Sequence, residues 1–181
     1  MKFISPKEKL NQALFIVEKI NGKNLTLPIL QNTLISCSKK TDTVTICSTD
    51  LEMGVEVGII AKIEEEGSVT APTKLLTSFI KSLPNNNLEI TEKNKTIAIQ
   101  CGGYKSNIKT ETANDFPIIP NPQNVEGLTI GAAEFILGIS SVVNSAAVLD
   151  TKPEIGGVYI QINEKEVCFT ATDSFRLAEK K

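Results

Sequence analysis

Apolar residues recur at helical spacing close to the start of the chain. The pattern predicts an amphipathic helix over residues 6–20, whose apolar face consists of Leu10, Ala13, Leu14 and Val17. The preceding Ser5-Pro6-Lys7-Glu8 is typical of a capping box with proline at the first helical position. Strand-like runs follow at 27–36, 43–48 and 53–60. Residues 1–60 therefore predict a β-α-β-β-β unit.

The same succession of patterns then begins again. A short strand is predicted at 68–71, a helix at 72–83, and further strands at 88–91, 96–101 and 104–110. Two β-α-β-β-β units in succession would build one α+β domain, with both helices side by side on one face of antiparallel sheets. We expect this first domain to occupy residues 1–113.

Residues 114–127 contain three of the eight prolines and follow neither a helical nor a strand period. They are interpreted as a linker. After it the first unit recurs: Phe3 corresponds to Leu128 and Thr49-Asp50 corresponds to Thr172-Asp173. We therefore predict a second domain at 128–181, with a helix at about 131–145. The repeat lacks a counterpart of residues 60–110, so this domain is expected to be incomplete.

Composition and charge narrow the class of protein. The chain is 41% hydrophobic and 22% charged, which is typical of a globular protein. No apolar run reaches the ~20 residues of a membrane span, and the N-terminus does not resemble a signal peptide, so a cytoplasmic location is expected. The net charge of −2 argues against a protein that binds nucleic acid mainly through phosphate contacts. Either nucleic acid is not a partner, or something other than charge retains it.

Candidate catalytic chemistry is sparse. The sequence has no histidine, and its four cysteines form no CxxC pair, which predicts buried free thiols and no metal site or cofactor. Asp50 and Asp173 occupy equivalent positions in two repeats, which favours turn chemistry over acid–base catalysis. A non-enzymatic protein is therefore expected. The alternative is an enzyme that uses cysteine and aspartate.

Several segments resemble the bacterial DNA sliding-clamp family, the β subunit of DNA polymerase III, in the same order and spacing. They are Met1-Lys2-Phe3, residues 26–30 (TLPIL), residues 48–53 (STDLEM), Asp115-Phe116-Pro117 and residues 171–178 (ATDSFRLA). The resemblance implies processivity-fold domains, three to a subunit, in a head-to-tail homodimeric ring. Such a ring would encircle duplex DNA, be opened by a clamp loader, and tether DNA polymerase and other clamp-binding peptides. Closure of a ring would also explain retention on DNA without a basic net charge.

The resemblance also implies a peptide-binding cleft. Its wall would be formed by Ile155, Thr172, Ser174, Phe175, Arg176 and Leu177. The family commonly has histidine before the arginine, so Phe175 predicts a more apolar rim. The alternative for this segment is an ordinary strand–turn–strand with Leu177 in the core.

The predicted DNA contacts are Lys23, Asn24, Lys74 and Lys81. Lys74 and Lys81 are seven residues apart and therefore share a helix face, although a solvated face without DNA would give the same pattern. The family often has arginine where Asn24 stands. Phe79 and Ile80 match a region that in the family packs on the other subunit, or they belong to the core.

A β-rich protein-interaction adaptor with no DNA role remains the alternative function. A chain of residues 1–181 is not expected to close a ring by itself, because the family closes its ring through the third domain.

Overall fold

A computed structural model describes residues 1–21, 27–120, 127, 129–148, 152–163 and 166–181. The chain divides into two compact units, Met1–Asn121 and Pro122–Lys181. Within the described residues, no helix is long and apolar enough to cross a membrane.

The described part of the first unit contains ten strands and two α-helices. In chain order they are β1 (Lys2–Pro6), α1 (Lys7–Glu18), β2 (Asn32–Ser38), β3 (Thr43–Thr49), β4 (Gly54–Ile60), β5 (Lys62–Glu65), β6 (Gly67–Pro72), α2 (Thr73–Ser82), β7 (Asn87–Lys93), β8 (Thr96–Cys101), β9 (Tyr104–Lys109) and β10 (Glu111–Thr112). Both predicted helices and the predicted β-α-β-β-β succession are confirmed.

The ten strands form two five-stranded antiparallel sheets that exchange strands between the halves of the unit. One sheet has the order β5-β1-β7-β8-β9 and the other β10-β6-β2-β3-β4. The half β1–β5 with α1 and the half β6–β10 with α2 are thus interchangeable: replacing each strand by its counterpart converts one order into the other. Because β1 pairs with β7 and β6 pairs with β2, neither half can complete its sheet alone.

A single core fills the space between these sheets and the two helices. α1 and α2 contact each other, as predicted, and α1 also packs on β3 and β4. The largest fully buried side chains come from both helices and both sheets and include Phe3, Leu14, Ile46, Ile80 and Ile97. Their regular spacing in sequence is what made the elements predictable.

Two edge strands, β5 and β10, were not predicted from the sequence. β5 has three charged residues among its four, so it lacks the alternation of a half-buried strand. It is held instead by partners distant in sequence: Lys2 on β1 places its ammonium 2.9 Å from the carboxylate of Glu64. β10 has two residues, and both pair with β6. The local pattern of apolar and polar residues does not predict strands that are held by pairing with distant partners.

One predicted strand boundary and one predicted helix cap were wrong. The strand expected at 27–36 begins at Asn32, since Pro28–Gln31 form a 3₁₀ turn in which the Leu30 amide donates to the Leu27 carbonyl at 3.1 Å. The capping box also does not form. Ser5 is buried within β1, and α1 starts after Pro6 with no side-chain cap.

The described part of the second unit repeats one half of the first. α3 (Ala132–Val142) is followed by a 3₁₀ turn at Val143–Ser145 and another at Pro153–Ile155, and then by β11 (Tyr159–Ile162), β12 (Val167–Thr172) and β13 (Leu177–Lys180). The strands form an antiparallel sheet in the order β11-β12-β13, as β2-β3-β4 do in the first unit. A small core forms around Phe169 and Val142, and the predicted helix is confirmed.

Candidate functional site

A four-residue turn connects β12 to β13 and is organised by the side chains of Thr172 and Asp173. The Asp173 carboxylate accepts the backbone N–H groups of Phe175 at 3.0 Å and Arg176 at 2.9 Å. The Thr172 hydroxyl donates to the Arg176 carbonyl at 2.7 Å and accepts the N–H of Ser174 at 3.2 Å. Ser174 adopts a left-handed backbone with φ 77°. Side-chain hydrogen bonds to nearby amides are the usual way in which Asp and Thr define tight turns.

The first unit contains the same turn between β3 and β4. Asp50 accepts the N–H groups of Glu52 at 3.0 Å and Met53 at 2.7 Å. The Thr49 hydroxyl donates to the Met53 carbonyl at 2.7 Å, and Leu51 has φ 79°. The prediction that both aspartates do turn chemistry is therefore confirmed.

The turn of the second unit has one further element, the Arg176 side chain. Its Nε lies 2.9 Å from Asp173 Oδ2, and its Nη2 donates to the Asn144 carbonyl at 2.8 Å. The hydrogen bonds from the Arg176 and Phe175 amides, together with the guanidinium, hold the pKa of the Asp173 carboxyl below its ordinary value. Arg176 thus ties the turn to the segment that follows α3.

A pocket of about 480 Å³ lies beside this turn. It is lined by Ala146, Ala147, Val148, Lys152, Ile155, Asp173, Ser174, Phe175 and Arg176. The structure therefore brings together four of the predicted cleft residues, namely Ile155, Ser174, Phe175 and Arg176. Two hydrogen bonds join residues that line the pocket: the Ala147 N–H donates to the Ile155 carbonyl at 3.1 Å, and Lys152 Nζ donates to Ser174 Oγ at 3.2 Å.

The other two predicted cleft residues, Thr172 and Leu177, do not line this pocket. Thr172 is occupied in the turn and lines a neighbouring hollow of about 420 Å³ together with Ile155. Leu177, at the start of β13, is 68% exposed, so the alternative that placed it in the core is wrong. Phe175 is 98% exposed at the rim. An apolar hollow with exposed apolar side chains and a few polar groups at its edge is typical of a peptide-binding surface.

Sequence reasoning missed part of this pocket. Lys152, Ala146, Ala147 and Val148 follow no motif and lie more than 20 residues from the turn in sequence. Their position depends on how the segment after α3 folds back onto β12, which a local pattern does not specify.

The residues predicted to contact DNA are only partly described. Lys74 and Lys81 are exposed on one side of α2, whereas Lys23 and Asn24 lie outside the described residues. Of the two residues with open alternatives, Ile80 is fully buried and belongs to the core, and Phe79 is half-buried against it.

The four cysteines are free and buried, as predicted. Burial and the neighbouring Glu56 carboxylate raise the pKa of the Cys47 thiol to about 12, and burial raises that of Cys37 to about 11. Within the part of the chain that the structure describes, no group of three or more Cys, Asp or Glu is placed to hold a metal ion.

The paired helices and strand-exchanged sheets have the fold of a DNA polymerase sliding clamp. The crystal structure of the sliding clamp from Bacillus subtilis superposes with a TM-score of 0.90 at 27% identity, over 99% of this chain and 49% of that one. The beta sliding clamp of Synechococcus elongatus is 28% identical over 181 residues, which is 98% of this chain and 48% of that protein. That of Bacillus subtilis is 27% identical over 190 residues, 100% of this chain and 50% of that protein.

Residues 1–120 match the family described as the DNA polymerase III beta subunit, N-terminal domain. The chain therefore belongs to the DNA polymerase III beta subunit family, which confirms the resemblance seen in the sequence and the α+β fold class. It spans about half the length of the curated relatives it matches.

Proposed function

We propose that this chain forms part of a DNA sliding clamp, a non-enzymatic protein of the cytoplasm that encircles duplex DNA. In the complete ring it would tether DNA polymerase and recruit other proteins through short peptides. The observation that carries this proposal is the family match over residues 1–120. The strand-exchanged fold of the first unit supports it.

The surface chemistry of the first unit fits weak contact with a duplex. Lys74 and Lys81 are exposed on α2, whose other face is buried against the core and α1. A net charge of −2 gives little general attraction to phosphate, so retention would depend on closure of a ring. Local lysines would then screen the phosphates without opposing sliding.

A chimera tests this proposal with a ring of full length. Residues 1–181 would replace the matching half of the Bacillus subtilis clamp, and the chimera would be loaded on a nicked circular plasmid by a clamp loader. We expect it to co-elute with the circle and to be released when the DNA is linearised. A folded chimera, checked by circular dichroism, that does not stay on the circle would contradict the proposal and favour an adaptor without a DNA role.

We further propose that the pocket beside the β12–β13 turn receives an apolar residue of a partner peptide. Ile155 and small side chains line the pocket together with the exposed Phe175, and the exposed Leu177 begins the strand that follows the turn. Binding would break few contacts within the protein, because the Phe175 side chain is already almost fully exposed to water. Covering it would remove apolar surface from water and contribute roughly 1–3 kcal/mol.

Alanine substitutions in the same chimera would test the pocket. Phe175→Ala and Leu177→Ala should each weaken a polymerase-derived peptide by roughly ten-fold or more, with unchanged thermal stability, because both side chains are exposed. Arg176→Ala should act through the turn, which it ties to Asn144. Met53→Ala is the matched control, since Met53 is 56% exposed in the twin turn of the first unit. Unchanged peptide affinity in both Phe175→Ala and Leu177→Ala would contradict this proposal.

A further inference from the structure

In the first unit, the Asn21 side chain ties the segment after α1 to the elements around it. Its Oδ1 accepts hydrogen bonds from Ser48 Oγ at 2.8 Å and from Thr73 Oγ1 at 3.1 Å. Its Nδ2 donates to the Gln31 carbonyl at 2.8 Å. Ser48 and Thr73 are both fully buried. One amide therefore satisfies two buried hydroxyls and joins the end of α1 to β3 and to α2.

The second unit has alanine at the two positions that form the centre of this tie. Asn21 and Ala146 are each the fifteenth residue counted from the start of their helix. The N–H of each donates to the carbonyl three residues before it, at 3.4 Å and 3.1 Å. Ser48 and Ala171 each directly precede the Thr-Asp pair of one of the twin turns. Ala146 is therefore the counterpart of Asn21, and Ala171 is the counterpart of Ser48.

This replacement leaves open space in the second unit. An alanine side chain has no hydrogen-bond donor or acceptor, so Ala146 and Ala171 cannot form the bond that joins Asn21 to Ser48. Ala146 lines the pocket of about 480 Å³ beside the β12–β13 turn, and Ala171 lines the hollow of about 420 Å³. Ile155 lines both. Longer side chains at the two alanine positions would therefore take up space that is now open.

A different side chain ties the segment after α3 to the turn. Arg176 Nη2 donates to the Asn144 carbonyl at 2.8 Å. The counterpart of Arg176 in the first unit is Met53, whose side chain has no N–H group. Because the Arg176 side chain is 63% exposed, its link runs along the surface beside the pocket. The second unit can thus keep its helix end in place without filling the pocket with an amide.

We propose that the residues at these two positions decide which unit has a pocket for a partner peptide. Ala146 and Ala171 keep the pocket open in the second unit, whereas Asn21 and Ser48 occupy the equivalent space in the first. The two alanines also set the specificity, because they admit an apolar side chain and offer no partner to a polar one. The inference rests on the peptide-binding role proposed above and explains why that role belongs to one unit.

Alkylation of a cysteine placed in the pocket tests the proposal in the 181-residue chain, whose four natural thiols are buried. Ile155→Cys would report access to both hollows. Ala146→Asn/Ala171→Ser copies the tie of the first unit. It should slow the reaction of Ile155→Cys with N-ethylmaleimide by about ten-fold or more, because the reagent then reaches the thiol only through local opening.

Leu177→Cys is the matched control for this rate. Leu177 is 68% exposed and does not line the pocket, so the double substitution should leave its alkylation unchanged. Ala146→Asn alone should also slow the reaction of Ile155→Cys, and it keeps the test decisive if the double variant does not fold. An unchanged rate for Ile155→Cys in a variant that is folded by circular dichroism would overturn the proposal.

Peptide affinity in the ring-forming chimera gives the second readout. Ala146→Asn/Ala171→Ser should weaken a polymerase-derived peptide by about ten-fold or more. Ala171→Ser alone adds a hydroxyl without its amide partner and should leave the affinity within about two-fold. A double variant that binds the peptide as the wild type does would overturn the proposal. If the wild-type chimera binds no peptide, the proposed peptide-binding role fails, and the alkylation rates still decide whether the two alanines keep the pocket open.

Discussion

Gly138 of α3 offers a sharp test of how the second unit is packed. A Cβ at this position would stand 2.5 Å from Cδ2 and 2.8 Å from Cζ of the Phe169 ring. The ring cannot easily retreat, because Phe169 is 5% exposed and packs edge-to-face on Phe135 with centroids 5.7 Å apart. Gly138→Ala must therefore displace a buried aromatic side chain.

Two opposing effects set the magnitude. Replacing glycine by alanine inside a helix stabilises it by about 1 kcal/mol. Overpacking a core costs about 1–3 kcal/mol, and the distances to Phe169 favour the upper part of that range. We expect a net destabilisation of the second unit by about 1–2 kcal/mol.

The first unit suggests the rescue. At the equivalent positions it has Ala13 on α1 and Ile46 on β3, both buried. The double variant Gly138→Ala/Phe169→Ile copies that pair. It loses the aromatic contact with Phe135, worth about 0.5–1.5 kcal/mol, but regains the helix propensity and relieves the clash. Its stability should return to within about 1 kcal/mol of the wild type.

Hydrogen–deuterium exchange read by mass spectrometry is the appropriate assay, because two units need not unfold as one transition. Peptides from α3 and β12 should exchange faster in Gly138→Ala and recover in the double variant. Peptides from the first unit are the internal control and should not change. A single variant as stable as the wild type, or more stable, would show that the ring has room and would refute this account of the packing.

Three further predictions concern charge and burial. Because hydrogen bonds lower the pKa of Asp173 in the folded state, its contribution to stability should be full above its ordinary pKa of 3.8 and be lost as the pH falls through the lower folded value; Asp173→Asn should remove that part of the acid dependence of unfolding. In the ring-forming chimera, Lys74→Glu and Lys81→Glu should each weaken DNA binding and reduce the slope of log K against log salt by about 1. The Cys47 thiol, with its pKa raised to about 12, should resist iodoacetamide at pH 8 in the native protein and react once urea is added.

Each of the three has its own control. Phe175→Ala, a neutral change in the same turn, should leave the acid dependence of unfolding as it is in the wild type. Lys40→Glu places the same charge change on the exposed β2–β3 turn and should leave the salt slope unchanged. For Cys47, rapid modification in the folded chain would contradict its burial at 6% exposure. A salt slope unaffected by both helix substitutions would remove Lys74 and Lys81 from the DNA-contacting surface.

The sequence determined those features whose causes are local. Apolar spacing specified α1, α2 and α3, since the buried side of a helix repeats every three or four residues. The two Thr-Asp turns were also readable, because each aspartate bonds to amides two and three residues further on. The motif that carries the family resemblance includes these turns, so fold and family were both within reach of the sequence.

Tertiary structure decided everything that depends on partners distant in sequence. The charged strand β5 exists because Lys2 and the rest of β1 lie beside it. A short stretch of sequence likewise predicts neither the strand exchange between halves nor the residues that line the pocket beside Arg176. Hydrophobic pattern fixes which face of an element is buried, but it does not name the element that buries it. The packing of the whole unit determines that element. The Phe169 ring leaves no room for a Cβ at Gly138, and Arg176 donates to the Asn144 carbonyl, 32 residues away in sequence.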